Sequence, residues 1–348
     1  MTELSGLPAL WLVLIGGFWV LYLAFGGADL GVSMLVRRVG RDDDGRAAVL
    51  KSIGPTWQAN DVWLIIAVGA MFGAFPGWYA EWASGAYLPL LAILVALIVR
   101  HAGIELLDHL GAASKRRWTA AIGVSAWVIP FGWGVIWASA LDGSLAGAGA
   151  SGGLEILSLA SVLCGLALVA LCRATGAAFL ARRLDGILAQ RARRDLRLTA
   201  PIAAALAAGA TFKLGLAAAP GTTLGTAGWV LLGMAGTALA VLAVAGMRRQ
   251  ARAALWTGGI AVAAFLAALL AALAPYGIAG PGGVDLRAEA AGDYTLTLMT
   301  IVAGVVGPAV LAVHAYAYLR FSRSPGADRG GEGSPLARLA RRGMQGLR

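Results

Sequence analysis

Three carboxylates, Asp29, Asp61 and Glu105, and one imidazole, His101, are the side chains best placed to carry protons. Each lies inside or at the edge of a long apolar stretch. An ionisable group at membrane depth is costly and marks a functional position by default. Asp29 sits in Phe25-Gly26-Gly27-Ala28-Asp29-Leu30-Gly31, where the first apolar run ends. The flanking glycines permit close backbone approach or a break in the helix. The carboxylate then serves as the mouth of a proton path, or as an interfacial cap and partner for a neighbouring arginine.

The densest polar cluster runs from Lys51 to Trp63 and contains Gln58, Asn60 and Asp61. Trp57 and Asp61 are four apart and Asn60 and Trp63 three apart, so a helix here groups polar and aromatic side chains. Pro55 suits its first turn. An interfacial aromatic belt with a cap would account for the tryptophans. Three polar groups entering a span exceed that requirement, so a protein-facing polar site is expected.

His101, Glu105 and His109 recur at i, i+4 and i+8 and share one face of a helix. Metal binding there would need a ligand from elsewhere, and two turns is too far for both histidines to grip one haem from opposite faces. A proton relay is expected instead, or a salt-bridged helix end with Arg100 opposing Glu105 and Asp108. Lys213 lies mid-span with its partner on another helix or subunit. His314 reads as an interhelical hydrogen-bonder, and Cys164 and Cys172 as buried small hydrophobes. No nucleophile triad, phosphate loop or dinucleotide fingerprint is present. Neither a complete catalytic centre nor a firmly bound metal or cofactor is expected in this chain.

These residues need an apolar frame, and the composition supplies it. Of 348 residues, 59% are apolar and 13% charged, against roughly 25% charged in a soluble domain. Mean hydropathy is +0.76. A soluble enzyme, a disordered chain and a disulfide scaffold are excluded. The fold class expected is an all-α polytopic membrane protein. Its nine spans fall at about 8–28, 59–79, 84–104, 119–140, 154–178, 199–219, 225–246, 253–274 and 293–319. They form one domain, 1–320, followed by a flexible basic tail, 321–348. Gly73, Pro76 and Gly77 are positioned to end the second span early.

The net charge of +10 would fit a nucleic-acid binder. Its distribution gives another answer: 24 of the 28 Lys and Arg residues fall in alternate connections and the tail. The opposite loops hold Arg287, with Glu3, Glu81, Asp142, Glu155, Asp285, Glu289 and Asp293. The positive-inside rule places the N-terminus outside and the C-terminus in the cytoplasm, which requires an odd number of spans. The basic excess is topological, and no nucleic-acid partner is expected.

Several motifs resemble the subunit II family of cytochrome bd-type quinol oxidases. They are Gly27-Ala28-Asp29-Leu30-Gly31 with Met34-Leu35 and Arg37-Arg38, then the stretch from Lys51 to Trp57. Further ones are Asn60-x-Val62-Trp63-Leu64, Ala74-Phe75-Pro76-x-x-Tyr79-Ala80, Arg100 with Gly103, and Tyr294-Thr295-Leu296-x-Leu298-Met299-Thr300. The resemblance is specific over the first hundred residues and generic through the middle. It implies an obligate heterodimer with subunit I, which carries haems b and d and the quinol-oxidising loop, in a bacterial cytoplasmic membrane. A small single-span accessory subunit can join them. The complex would oxidise menaquinol or ubiquinol, reduce dioxygen to water and generate proton-motive force without pumping. Subunit II would contribute scaffold, in some members a structural quinone, and part of a cytoplasmic proton path.

One departure bears on that path. Where the family usually has Trp-Asp-Gly-Asn, this chain has Trp57-Gln58-Ala59-Asn60. Gln58 can hydrogen-bond but cannot titrate, and Asp61 stands close to one turn further on as its replacement. The candidate path is therefore Asp29, Gln58, Asn60, Asp61, His101 and Glu105. The alternatives are a secondary transporter or channel that uses the same carboxylates, and a purely structural membrane subunit. Transporters often pair broken helices in both halves, whereas these polar groups gather in the first three spans.

Overall fold

The computed structural model describes residues 4–54, 56–151, 153–217, 225–274 and 276–321. Pro55 and all but the first residue of the expected tail lie outside the described residues. The long elements are α1 (Gly6–Val39), α2 (Asp43–Lys51), α3 (Thr56–Ala74), α4 (Pro76–Gly85), α5 (Tyr87–Leu106) and α6 (Ala112–Asp142). They continue with α7 (Leu159–Arg183), α8 (Gly186–Ala217), α9 (Thr226–Met247), α10 (Ala251–Leu273), the single turn α11 (Leu286–Glu289) and α12 (Asp293–Phe321).

Eight of these helices, α1, α5 to α10 and α12, are long and apolar enough to cross a bilayer. The protein is thus an all-α, multi-pass membrane protein. α3 is not among the eight, since its first two turns carry Gln58, Asn60 and Asp61. It stops at Ala74, and Pro76 opens α4, so the chain bends at the Gly73–Gly77 segment. Proline fits there because the first turn of a helix has no use for its missing N–H.

Two helices extend well past the apolar runs that announced them. α1 continues to Val39, so Asp29 lies inside the helix and not at its end, and the glycines around it cause no break. α8 begins at Gly186, leaving only Leu184 and Asp185 between it and α7. The arginines from Arg191 to Arg197, expected in a connecting loop, ride on the first turns of α8. Hydropathy marks only the lipid-facing length of a helix, while Arg, Leu, Ala and Gln continue it readily into water.

α7 is the central column. Of its apolar window 72% is buried, against 6% for α12, which rests mainly on α3 and α1. α7 packs on α8, α6, α1 and α10. It crosses α1 closely, where Gly31 meets the Cys172 carbonyl and Gly176; a Cβ at either glycine would collide with backbone. Small residues are what allow membrane helices to approach this closely.

Nearer the start of α1, Trp19 is the hub of an aromatic cluster. Its ring lies 4.7 Å from Trp133, 5.1 Å from Trp137 and 6.0 Å from Trp82, all edge-on. Between α10 and α12, β1 (Tyr276–Ile278) and β2 (Val284–Asp285) form an antiparallel hairpin with Tyr276 opposite Asp285. The Ala279 N–H donates to the Ala140 carbonyl at 2.8 Å and seats the hairpin on the end of α6.

Candidate functional site

Asp29 and Ser33 are one turn apart on α1 and both are buried. The Asp29 carboxylate, 5% exposed, accepts a hydrogen bond from Asn60 Nδ2 on α3 at 2.6 Å. Ser33 Oγ donates to the Asp29 carbonyl at 3.0 Å and accepts from Arg100 Nε on α5 at 3.2 Å. Arg100 is fully enclosed, and its Nη1 lies 3.7 Å from Asp61 Oδ2. That same oxygen is 2.7 Å from His101 Nε2. Polar contacts therefore run from His101 and Asp61 through Arg100 and Ser33 to the Asp29 main-chain carbonyl, while the Asp29 carboxylate is held separately by Asn60.

Trp57 closes one side of this line. Its ring centroid is 4.9 Å from that of His101 and 5.7 Å from the Arg100 guanidinium carbon, a cation–π arrangement. Beyond Asn60, Trp63 Nε1 donates to His314 Nε2 at 2.9 Å, and Asn60 Oδ1 lies 3.4 Å from that nitrogen. α12 is thus tied to α3 at the site.

The charges explain why this arrangement holds. A buried guanidinium is tolerated only with an opposite charge and satisfied hydrogen bonds. Arg100 has both in Asp61 and Ser33, with Nη2 left without a hydrogen-bond partner among the described residues. Burial falls along the line: Asp29 is enclosed, Asp61 is 19% exposed and His101 34% exposed. The His101–Asp61 contact can exchange a proton between imidazole and carboxylate. Arg100 is a permanently charged donor and cannot relay a proton, and Ser33 reaches only the Asp29 main-chain carbonyl, so these two side chains fix the geometry between the acids.

Of the six candidate residues, Asp29, Asn60, Asp61 and His101 come together. Gln58 is exposed on α3 and Glu105 exposed on α5, and neither takes part in the contacts above. α5 stops at Leu106, and His109 falls in a following 3₁₀ turn, exposed, so the expected three-residue face is broken after Glu105. Arg100 does not oppose Glu105: it turns inward to Ser33 and Asp61. The Asp108 side chain lies outside the described residues. Lys213 is half-buried and makes no salt bridge among the described residues. His314 does join helices through hydrogen bonding, and Cys164 and Cys172 are buried thiols. Among the described residues no group of three or more His, Cys, Asp and Glu could hold a metal ion.

Two features escaped the sequence reading. Ser33 was signalled only by its one-turn spacing from Asp29. Asp195 on α8, 2% exposed, binds Arg173 Nη2 on α7 at 2.7 Å and Arg38 Nε on α1 at 2.5 Å. Arg173, alone within an apolar run, was the available signal for that clamp.

Fold and site together define a polytopic helical membrane protein with a carboxylate–imidazole line reaching inward from its surface. A family model described as cytochrome bd terminal oxidase subunit II matches residues 7–321, and the chain belongs to that family. It is 32% identical over 197 residues to the cytochrome bd ubiquinol oxidase subunit 2 of Bacillus subtilis, covering 55% of this chain and 58% of that protein. It is 34% identical over 144 residues to the cytochrome bd-I ubiquinol oxidase subunit 2 of Escherichia coli K12, covering 41% and 38% respectively. These matches span little over half, or less, of the relatives' lengths. The bd oxidase structure from Geobacillus thermodenitrificans includes a chain of the same fold. Its TM-score is 0.72 at 18% identity, over 90% of this chain and 98% of that one.

Proposed function

We propose that this chain is subunit II of a membrane-bound quinol:oxygen oxidoreductase and supplies the inner end of its proton path. A partner subunit I would carry haems b and d, oxidise menaquinol or ubiquinol and reduce dioxygen to water, forming proton-motive force without pumping. The location would be a bacterial cytoplasmic membrane. α3 and α4 together make a ninth, bent crossing, which gives an odd number of spans with the N-terminus outside and the C-terminus in the cytoplasm.

The His101–Asp61 contact near the surface, with a second, enclosed acid at Asp29, carries this reading. In the proposed orientation the His101 end faces the cytoplasm, near Lys115, Arg116 and Arg117 at the start of α6. Glu105, one turn beyond His101 on α5, is the exposed collector. Asp61 replaces the acid absent at Gln58: it is a carboxylate in contact with His101, whereas Gln58 is exposed and joins none of these contacts.

Purification of the tagged chain from its native membrane tests the assignment. Co-purifying b- and d-type haem bands in a reduced-minus-oxidised spectrum, with quinol-dependent oxygen uptake, are expected. A chain recovered without haem or partner contradicts it.

A further inference from the structure

An open groove of about 1120 Å³ lies where the α7–α8 link meets the α9–α10 turn. Six arginines line it, Arg182, Arg191, Arg193, Arg194, Arg197 and Arg249, against one acid, Asp185. None of the six makes a salt bridge among the described residues. Arg191 Nη1 donates to the Val39 carbonyl at 2.9 Å, and six like charges beside a single carboxylate repel one another unless an anion lies among them.

The backbone gives a second sign that a side chain is wanted there. α9 ends in a paired-hydrogen-bond motif: Arg249 N–H donates to Gly246 O at 3.0 Å, and Gln250 N–H to Ala245 O at 2.8 Å. The residue closing this motif takes left-handed backbone, and glycine normally fills it because L-residues are strained there. Here it is Arg249 at φ +57°, the one non-glycine with positive φ among the described residues. The strain is accepted at a residue that lines the groove.

The groove is also continuous with lipid-facing surface. Ile187 and Leu198, both more than half or half exposed, form part of its wall. Ile202 extends that face one turn along α8, and Val244 and Met247 are exposed on α9 opposite. Basic pockets between membrane helices on the cytoplasmic side suit anionic headgroups. We propose that the groove binds the phosphate of an anionic glycerophospholipid, with the acyl chains lying along these faces of α8 and α9.

The test is native mass spectrometry of the full-length chain from mixed micelles of phosphatidylglycerol and phosphatidylcholine in equal amounts. The wild-type chain is expected to retain phosphatidylglycerol with a preference of roughly tenfold, which Arg193→Gln/Arg194→Gln/Arg197→Gln brings near parity. The control Arg116→Gln/Arg117→Gln, basic residues elsewhere, leaves the preference in place. Unchanged thermal unfolding of the triple variant in phosphatidylcholine alone confirms that it folds. No preference in the wild-type chain, or one that survives in the triple variant, overturns the proposal. So does inorganic phosphate displacing the lipid at equal affinity, which would make this a free-anion site. Crosslinking of Arg194 to an acidic segment of a protein partner in the purified complex would equally overturn it.

Discussion

His101 Nε2 lies 2.7 Å from Asp61 Oδ2, joining α5 to α3 at the surface end of a line that ends at buried Asp29. Because the two side chains come from different helices, the contact requires α3 to enter the bundle with its polar turn facing α5. Trp57, stacked beside both His101 and Arg100, holds that orientation.

Replacement of the imidazole tests whether this contact conducts. His101→Phe keeps the ring against Trp57 but removes both nitrogens, and is expected to lower quinol-dependent oxygen uptake by roughly tenfold or more. His101→Gln, which can still hydrogen-bond Asp61, should fall between. Uptake in inverted membrane vesicles, normalised to haem content, is the measurement.

Asn60 holds a buried carboxylate. Asn60→Leu removes the Nδ2–H donor and leaves Asp29 with one partner fewer, a cost of about 1–3 kcal/mol. Thermal unfolding in detergent should show the loss, and it should shrink in Asn60→Leu/Asp29→Leu, where both polar groups are gone.

The Gly31–Gly176 crossing sets how closely α1 approaches α7. Gly31→Val would drive a side chain into the Cys172 carbonyl, and overpacking of this kind costs about 1–3 kcal/mol or more. The expected result is little folded protein in the membrane. Gly17→Ala, where no atom lies within 4 Å of the added Cβ, serves as the tolerated control.

Asp195 is the shared acid of an ion clamp on three helices. Asp195→Asn strands the largely enclosed Arg173, and breaking such a pair costs about 3–5 kcal/mol. Asp195→Leu/Arg173→Met, which removes both charges, should cost less. Urea or thermal unfolding of the three proteins ranks them, and equal losses would contradict a paired clamp.

The hairpin after α10 should respond to acid. Hydrogen bonding from the Arg287 guanidinium holds the Asp285 carboxyl below the usual carboxylate range. The contribution of that pair is complete above the ordinary carboxylate pKa and is lost as pH falls through the lowered value. Both groups are partly exposed, so the effect is local: smaller protection factors for amide exchange across Tyr276–Ile278 at low pH, after correction for the intrinsic pH dependence of exchange. Asp285→Asn should show that loss of protection already at neutral pH.

Much of this was legible beforehand because ionisable residues are rare in an apolar chain. Asp29, Asn60, Asp61 and His101 stood out against their surroundings, and the bend at Gly73–Gly77 was readable from glycine and proline. Gln58 and Glu105 are exposed and stand apart from the buried contacts, which residue type alone does not reveal. On a helix apolar nearly all round, nothing in sequence says which polar residue faces a neighbour and which faces outward. Ser33 carried only the weak signal of its spacing from Asp29, because a serine within a membrane helix ordinarily bonds its own backbone; Arg100 gives it a second role. Asp195 was hidden by the assumption that charged stretches are loops, whereas α8 carries its arginines in regular helix.

The central claim is that Asp61 supplies the carboxylate of the proposed path, in place of the acid missing at Gln58. Oxygen uptake by the complex in proteoliposomes, comparing Asp61→Asn with Asp61→Glu, measures it most directly. The account predicts that Asp61→Asn falls by roughly a hundredfold, in keeping with loss of a proton-transfer group, while Asp61→Glu keeps most of the rate. Haem content should be unchanged in both. Wild-type uptake by Asp61→Asn at full haem content would contradict it.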